Sequence, residues 1–183
     1  GVISRLIPQK GIQYFLKAAK ITLDVLPDVQ FVVAGDGPYK KELLKIASNL
    51  GIKDKVLFLG YGEHIPFLLS LINICVIPSL SEGMCITALE AMATRKPIIA
   101  FRAGGIEEIV EYNKTGFLVD KGDYYGLAEK IVKLLKNRRL AEKMGKKAQS
   151  IVEENFSLQN MVSSIELLYE KLLFEKGIKT TSQ

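Results

Sequence analysis

Two kinds of hydrophobic pattern alternate along the chain. Short segments, such as residues 29–33 and 97–101, are apolar at almost every position and rich in β-branched residues, which is typical of strands buried on both faces. Longer segments, such as residues 11–26, repeat apolar residues every three or four positions, which is typical of amphipathic helices. The pattern therefore predicts a regular succession of strands and helices.

The predicted strands and helices fill nearly the whole chain. Strands are predicted over residues 2–3, 29–33, 56–59, 74–77, 97–101 and 117–119. Helices are predicted over residues 11–26, 39–50, 65–71, 87–94, 105–110, 124–136, 139–153 and 158–175. Such alternation predicts an α/β fold, a Rossmann-like doubly wound parallel sheet whose ligands bind at the carboxyl ends of the strands.

Composition places the chain among soluble globular proteins. It has 183 residues, of which 48% are hydrophobic and 25% charged. No apolar run reaches the roughly 18 residues that a membrane span requires, and the first residues lack the features of a signal peptide. The two cysteines, Cys75 and Cys85, are too few for a disulfide framework and fit no zinc motif, which predicts a cytoplasmic location.

The net charge is +5, and basic residues are concentrated late in the sequence. These are Lys130, Lys133, Lys136, Arg138, Arg139, Lys143, Lys146 and Lys147. A solvated helix face explains them most simply, and peripheral contact with an anionic membrane is the alternative. No aromatic residue is interleaved with them, so no nucleic-acid partner is expected.

Residues 78–93 carry the richest candidate chemistry. The segment leaves a strand, turns at Gly83 and enters a helix, whose first turn offers free N–H groups and partial positive charge to an anion. Glu82 precedes this helix and Glu90 lies about two turns into it, so their carboxylates can accept hydrogen bonds from sugar hydroxyls. The alternative makes both acids solvated, but the apolar neighbours of Glu90 argue against it.

These two acids, followed by Ala91, Met92 and Ala93, resemble the E-x7-E signature of family 4 glycosyltransferases. The resemblance implies the two-domain B-type glycosyltransferase fold, of which this chain is the C-terminal, nucleotide-sugar-binding half. Residues 4–11 resemble the basic motif of that family, in which Arg5 and Lys10 hold the donor diphosphate. Further similarities lie in the turn at residues 35–38, the loop at residues 56–61, the pair Gly104-Gly105 with Glu108, and Phe156-Ser157.

The resemblance also implies a role for individual residues. Glu82 contacts the transferred sugar, Thr87 binds a phosphate and Glu90 holds the ribose hydroxyls. The remaining substrate-binding residues are Gly60, Tyr61, Gly83, Met84, Cys85 and Ile86. Met84 and Cys85 stand where the family often has Phe-Gly or Phe-Pro, which leaves the identity of the sugar open.

Three segments follow from this assignment. Residues 1–155 form the Rossmann-like domain, 156–176 the crossover helix, and 177–183 a tail; the acceptor-binding N-terminal domain of the family is the missing partner. The implied reaction is transfer of a sugar from a nucleoside-diphosphate sugar to an acceptor hydroxyl with retention. It uses no metal and no cofactor beyond the donor, since Arg5, Lys10, Thr87 and the helix N-terminus stabilise the leaving diphosphate. The isolated chain is expected to transfer little or no sugar.

Other functions fit less well. The turn at residues 35–38 lacks the third glycine of a dinucleotide fingerprint, and neither a P-loop nor a nucleophile elbow is present. His64, the only histidine, has no nucleophile nearby in the sequence, and no Asp-x-Asp motif or metal-ligand cluster occurs. A non-catalytic nucleotide-sugar-binding module and a sugar epimerase or phosphorylase of the same fold remain alternatives.

Overall fold

The computed structural model describes residues 1–62 and 64–176, so the predicted tail at 177–183 lies outside the described residues. Six strands are described: β1 (Val2–Ile3), β2 (Phe31–Ala34), β3 (Val56–Gly60), β4 (Cys75–Ile77), β5 (Ile98–Phe101) and β6 (Gly116–Val119). The helices are α1 (Ile12–Val25), α2 (Lys40–Asn49), α3 (Ile65–Ser70), α4 (Ile86–Ala93), α5 (Ile106–Ile109), α6 (Tyr124–Lys136), α7 (Arg138–Asn155) and α8 (Leu158–Glu175). Single 3-10 turns, which the sequence pattern did not predict, form at Pro8–Lys10 and Lys53–Lys55.

The strands form two parallel three-stranded sheets, β1-β2-β3 and β4-β5-β6. The two sheets meet where the N–H of Val76 in β4 donates a 2.8 Å hydrogen bond to the carbonyl of Gly1, the residue before β1. The spatial order is therefore β3, β2, β1, β4, β5, β6, which is the order of a doubly wound Rossmann-like sheet. The predicted fold class is confirmed.

Helices cover both faces of this sheet and enclose two hydrophobic layers. Phe15 of α1, Leu127 of α6 and Phe101 of β5 belong to one layer. Met92 of α4, Ile106 of α5 and Ile98 of β5 belong to the other. Every residue of β4, β5 and β6 is buried, which explains why these strands read as apolar at every position.

The element bounds differ from the sequence prediction by at most two residues. The largest shifts, of two residues, are at the end of α7 and at the start of β2. Strand β2 begins at Phe31 because the N–H of Val29 bonds to the Leu26 carbonyl in the turn that ends α1. At α7, the Asn137 side chain accepts the N–H of Leu140 and starts the helix one residue early. Local turn and cap bonds thus set the ends of elements whose type the periodicity already predicts.

Close backbone contacts fix the loop that follows β4. Gly104, with φ +61°, lies against this loop after β5, and a methyl group there would collide with the Glu82 carbonyl oxygen. The N–H of Gly105 also donates to that carbonyl at 3.4 Å. The glycine pair therefore holds the main chain of Glu82 in place.

Gly104→Ala is expected to destabilise the protein more than Gly51→Ala does. Gly51 shares the left-handed backbone, with φ +68°, but has open space at its Cβ position. Gly51→Ala should therefore lower the unfolding free energy only by the cost of a left-handed alanine, about 1–2 kcal/mol. Gly104→Ala adds the collision with the Glu82 carbonyl to that cost. Urea unfolding measures both, and equal losses of unfolding free energy would contradict the proposed contact.

Candidate functional site

A salt bridge joins the loops that follow β1 and β4. Lys10 ends the 3-10 turn after β1, and Glu82 lies between β4 and α4; the Lys10 Nζ and Glu82 Oε1 atoms are 2.7 Å apart. Their side chains are only 20% and 9% exposed, so the pair is partly shielded from water. The site thus combines a cation and an acid at the carboxyl edge of the sheet.

The backbone brings these two loops together before their side chains meet. The N–H of Leu80 donates a 2.8 Å hydrogen bond to the carbonyl of Gln9. Gly11, with φ +66°, lies so close to the Pro78 carbonyl that any side chain would collide with it. Glycine at this position therefore allows Lys10 to approach the loop that carries Glu82.

A cavity of about 140 Å³, called here the first cavity, opens beside the start of α4. It is lined by Val2, Ile3, Ser4, Lys10, Val76, Ile77, Pro78, Ser79, Glu82, Met84, Cys85, Ile86 and Thr87. Because α4 begins at Ile86, the amide of Thr87 has no acceptor within the helix. The cavity therefore offers a helix N-terminus and an ammonium group to an anion, and a carboxylate to a hydroxyl-bearing ligand.

A second cavity, of about 180 Å³, adjoins the first. It is lined by Ile3, Ser4, Arg5, Ala34, Gly35, Asp36, Tyr61, Gly62, Ile65, Leu68 and Thr87. Ile3, Ser4 and Thr87 line both cavities, so a single elongated ligand can occupy the two together. Tyr61 is 80% exposed at this cavity, and an exposed aromatic ring is suited to stacking with a planar group.

The structure brings most of the sequence-predicted site residues to these two cavities. Those that line one or both are Arg5, Lys10, Tyr61, Glu82, Met84, Cys85, Ile86 and Thr87. Gly60, Gly83 and Glu90 line neither cavity. Gly83 is exposed with open space at its Cβ position, and the Gly60 carbonyl accepts the N–H of Gly35 at 2.6 Å.

Glu90 lies one turn after Thr87 on α4 and is half-buried. Burial raises the pKa of its carboxyl above the ordinary value. A carboxylate in such surroundings gains from a hydroxyl donor, because a hydrogen bond offsets part of its desolvation. Its surroundings therefore suit a ligand hydroxyl that reaches past the first turn of the helix.

Both thiols are buried and neutral at physiological pH. Burial and the nearby Glu82 raise the pKa of Cys85 to about 11, and burial raises the pKa of Cys75 to about 12. Cys85 therefore presents no thiolate to the first cavity and contributes its backbone and its volume.

Sequence reasoning gave no role to three polar residues that the structure places at the cavities. Ser4 lines both cavities, Ser79 lines the first and Asp36 lines the second. Ser4 directly follows β1, Ser79 lies two residues after β4, and Asp36 lies two residues after β2. Position at a strand's carboxyl end was the available signal, since this is where ligands bind in parallel sheets.

Three further observations concern the histidine, metal ligands and membrane spans in the described part of the chain. His64 is exposed at the start of α3. Residues 1–62 and 64–176 contain no group of three or more His, Cys, Asp or Glu side chains that would hold a metal ion. None of the helices described there is long and apolar enough to cross a membrane.

Sequence comparison connects this geometry to known proteins. The family described as glycosyl transferases group 1 matches residues 1–151. The N-acetyl-alpha-D-glucosaminyl L-malate synthase of Bacillus anthracis is 36% identical over 172 residues, which are 93% of this chain and 45% of that protein. The UDP-Gal:alpha-D-GlcNAc-diphosphoundecaprenol alpha-1,3-galactosyltransferase of Escherichia coli is 30% identical over 178 residues, covering 96% of this chain and 46% of that protein.

Solved structures agree in fold. HepE from Anabaena in complex with UDP aligns with a TM-score of 0.89 at 29% identity, over 93% of this chain and 48% of that one. The C-terminal domain of LpcC, a glycosyl transferase group 1 family protein from Francisella tularensis, aligns with a TM-score of 0.80 at 31% identity. That alignment covers 86% of this chain and 85% of the LpcC domain.

The chain spans about half the length of the curated relatives that it matches. Within that span, the family match, the sheet order and the site at the carboxyl edge agree, and the resemblance seen in the sequence is confirmed. The chain belongs to the glycosyl transferases group 1 family of B-type glycosyltransferases.

Proposed function

We propose that this chain supplies the donor site for transfer of a sugar from a nucleoside-diphosphate sugar to an acceptor hydroxyl, with retention of anomeric configuration. The observation that carries the proposal is the 2.7 Å contact between Lys10 and Glu82 beside the start of α4. A group that can bind phosphate is thereby adjacent to a group that can bind a sugar hydroxyl. The phosphate and the sugar are likewise adjacent in a sugar diphosphate.

The leaving diphosphate is the centre of the proposed chemistry. In our proposal, negative charge develops on its oxygens as the glycosidic bond breaks, and Lys10, Thr87 and the N-terminus of α4, which border the first cavity, stabilise it. Arg5 lines the adjoining second cavity and adds a guanidinium suited to phosphate oxygens. These groups supply the stabilisation in our proposal, so transfer is expected to need no metal ion.

In this proposal, one acidic residue binds the transferred sugar and the other binds the nucleotide. Glu82 accepts a hydrogen bond from the transferred sugar, and the backbone amides near Gly83, Met84 and Cys85 assist. Glu90 accepts hydrogen bonds from the ribose hydroxyls, while Gly60 and Tyr61 belong to the loop beside the base. We propose uracil as the base, because the related structure of HepE contains UDP and another contains UDP-glucose.

Calorimetric titration of the purified chain with UDP, GDP, ADP and their sugar conjugates, in the presence of a chelator, tests this assignment. UDP compounds should bind most tightly, and Glu90→Ala should weaken them at least about tenfold, because a hydrogen bond to a charged acceptor contributes about 1.5–3 kcal/mol. Lys10→Ala should weaken UDP more than it weakens uridine, which has no phosphate.

Glu42→Ala provides the matched control, since Glu42 is an exposed acid in the first turn of α2. Unchanged affinity in the Glu90→Ala variant would contradict the assigned ribose contact. Failure of every nucleotide to bind both this chain and a full-length protein that contains it would overturn the donor-site proposal.

We propose further that a second, acceptor-binding domain works with this chain, as the half-length match to its relatives suggests. Helix α8 supports this, because none of its residues is buried. Seven of its apolar side chains share one face and are exposed: Leu158, Met161, Val162, Ile165, Leu168, Tyr169 and Leu172. We call this face the α8 stripe, and we propose that the acceptor domain covers it.

Substitution on the two faces of α8 tests this partner. Ile165→Glu should leave the unfolding free energy of the isolated chain within about 0.5 kcal/mol, since the residue is exposed there. In a full-length protein the same change should sharply reduce sugar transfer by weakening domain contact. Leu167→Glu is the control, because Leu167 is exposed on the opposite face.

The isolated chain should itself transfer little or no sugar, because the acceptor hydroxyl arrives from the second domain. A radiolabelled-donor assay on the chain alone measures this directly. Substantial transfer by the isolated chain, or equal transfer by the two full-length variants, would contradict the need for a partner domain.

The exposed cations of α7 suggest a peripheral contact with an anionic membrane from a cytoplasmic location. Arg139, Lys143, Lys146 and Lys147 are exposed along one side of α7, outside the strip of its buried residues. A cluster of this kind attracts anionic lipids by about 1 kcal/mol per residue near the surface. An enzyme that works on an acceptor held in a membrane would benefit from this contact.

Vesicle sedimentation tests the contact. Reversing Lys143, Lys146 and Lys147 to glutamate should reduce binding to anionic vesicles by about two orders of magnitude or more. The control reverses Lys41, Lys45 and Lys53, which are exposed around α2 and carry the same charge. Binding that is unchanged in the α7 variant, or that falls equally in both variants, would exclude α7 as a specific membrane surface.

A further inference from the structure

A basic cavity lies at the edge of the sheet opposite to Lys10 and Glu82. It has a volume of about 440 Å³ and opens where β4 and β5 begin, between the end of α4, the end of α6 and the start of α7. We call it the amino-edge cavity. It is lined by Asn73, Ile74, Arg95, Lys96, Pro97, Leu134, Leu135, Arg138, Ala141 and Glu142.

The floor and the rim of this cavity differ in chemistry. Ile74, Pro97 and Leu134 are buried and form an apolar floor. The charged groups at the rim are Arg95, Lys96, Arg138 and Glu142, three cations and one acid. The cavity therefore carries a net positive charge of two above an apolar surface.

The backbone of Arg95 is held in an unusual conformation. Its φ of +59° places a non-glycine residue in the left-handed region, which is unfavourable for a residue with a Cβ. Its N–H donates to the Met92 carbonyl at 3.0 Å, and its own carbonyl lies against Gly145 of α7, where any side chain would collide with it. Packing between α4 and α7 therefore fixes where the Arg95 side chain begins.

Both arginines are held at Nε, which leaves their terminal amino groups available. The Arg95 Nε donates to the Gln149 side-chain oxygen at 2.5 Å, and the Arg138 Nε donates to Glu142 Oε1 at 2.8 Å. Lys96 forms no salt bridge with any residue in the described ranges. Three sets of N–H donors thus remain for a ligand.

We propose that the amino-edge cavity binds a phosphate monoester. Such a group carries between about −1.5 and −2 charges near pH 7 and three acceptor oxygens, which match the net charge and the remaining donors. Guanidinium groups suit tetrahedral oxyanions because their planar N–H pairs meet two oxygens at once. The apolar floor accommodates the less polar part of the molecule that bears the phosphate.

This site is distinct from the proposed donor site. The four residues of β5 alone separate the two edges by about 13 Å, at roughly 3.3 Å per residue. None of the residues that line the amino-edge cavity lines either cavity at the carboxyl edge. The proposal therefore does not depend on the donor-site assignment.

Two sources can present a phosphate monoester, a soluble metabolite or a lipid headgroup, and the experiment separates them. Calorimetry of the purified chain uses inorganic phosphate and glycerol 3-phosphate, with glycerol as the uncharged reference. Flotation uses phosphatidylcholine vesicles that contain phosphatidic acid, a monoester, or phosphatidylglycerol, a diester, at equal anion content. Each is repeated with Arg95→Asn/Lys96→Gln, in which asparagine tolerates the left-handed backbone.

The expected result is that the double variant binds the phosphate monoester at least about tenfold more weakly than the wild type. Weaker binding of the soluble ligands by the double variant identifies a metabolite site. Weaker binding that is confined to phosphatidic acid vesicles identifies a headgroup site. Lys45→Gln/Lys53→Gln, the matched control with the same charge change, should bind as the wild type does. Phosphate bound at the donor site should be unaffected by the variant, because Arg95 and Lys96 line neither cavity at the carboxyl edge, so the experiment distinguishes the two sites.

Absence of monoester binding in both formats, or a change that is equal in the variant and its control, would overturn the proposal. Urea unfolding establishes whether the double variant folds. Arg138→Gln, which alters a different element and needs no special backbone, should reproduce the weaker binding. Binding that survives both Arg138→Gln and Lys96→Gln would likewise overturn it.

Discussion

The adjacency of β1 and β4 is the constraint on which the site depends. The hydrogen bond between Val76 and the Gly1 carbonyl joins the two halves of the sheet, and the strand order reverses there. Loops that follow β1 and β4 therefore depart toward opposite faces and leave a crevice at the carboxyl edge. Lys10 stands on one side of this crevice and Glu82 on the other, so the fold itself creates the position in which a ligand meets both.

The Lys10–Glu82 salt bridge gives this crevice its electrostatic character. A partly buried ion pair loses much of its Coulomb attraction to desolvation, so it contributes little net stability. A diphosphate bound beside Lys10, as we propose, would add negative charge that the N-terminus of α4 and Arg5 would also stabilise. In the proposed function, a sugar hydroxyl would in turn donate a hydrogen bond to Glu82. The two charges of the salt bridge are thus the ones that the diphosphate and the sugar of the proposed donor would each engage.

Features that depend on local periodicity, such as the type of each element, could be predicted from the sequence. Features that depend on contacts between distant residues could not. Ile98–Phe101 reads as a strand because both faces are buried, but the start of β2 was misplaced because a turn bond at Val29 leaves no mark in the periodicity. The Lys10–Glu82 pair joins residues 72 positions apart and was not predicted as a contact. The amino-edge cavity collects side chains from several elements that no motif connects, so only the folded chain reveals it.

If the proposed acceptor domain covers the α8 stripe, that domain would affect the stability of the chain as well as the chemistry. An isolated helix of 18 residues is marginal in water, and α8 buries none of its residues against the domain. Its N-terminus is capped by the Ser157 side chain, which accepts the N–H of Asn160, but a cap contributes only about 1 kcal/mol. Burial of the stripe would contribute far more, at about 25 cal/mol per Å² of apolar surface. The surface that would complete the acceptor side of the site is therefore also the one from which α8 would gain its stability.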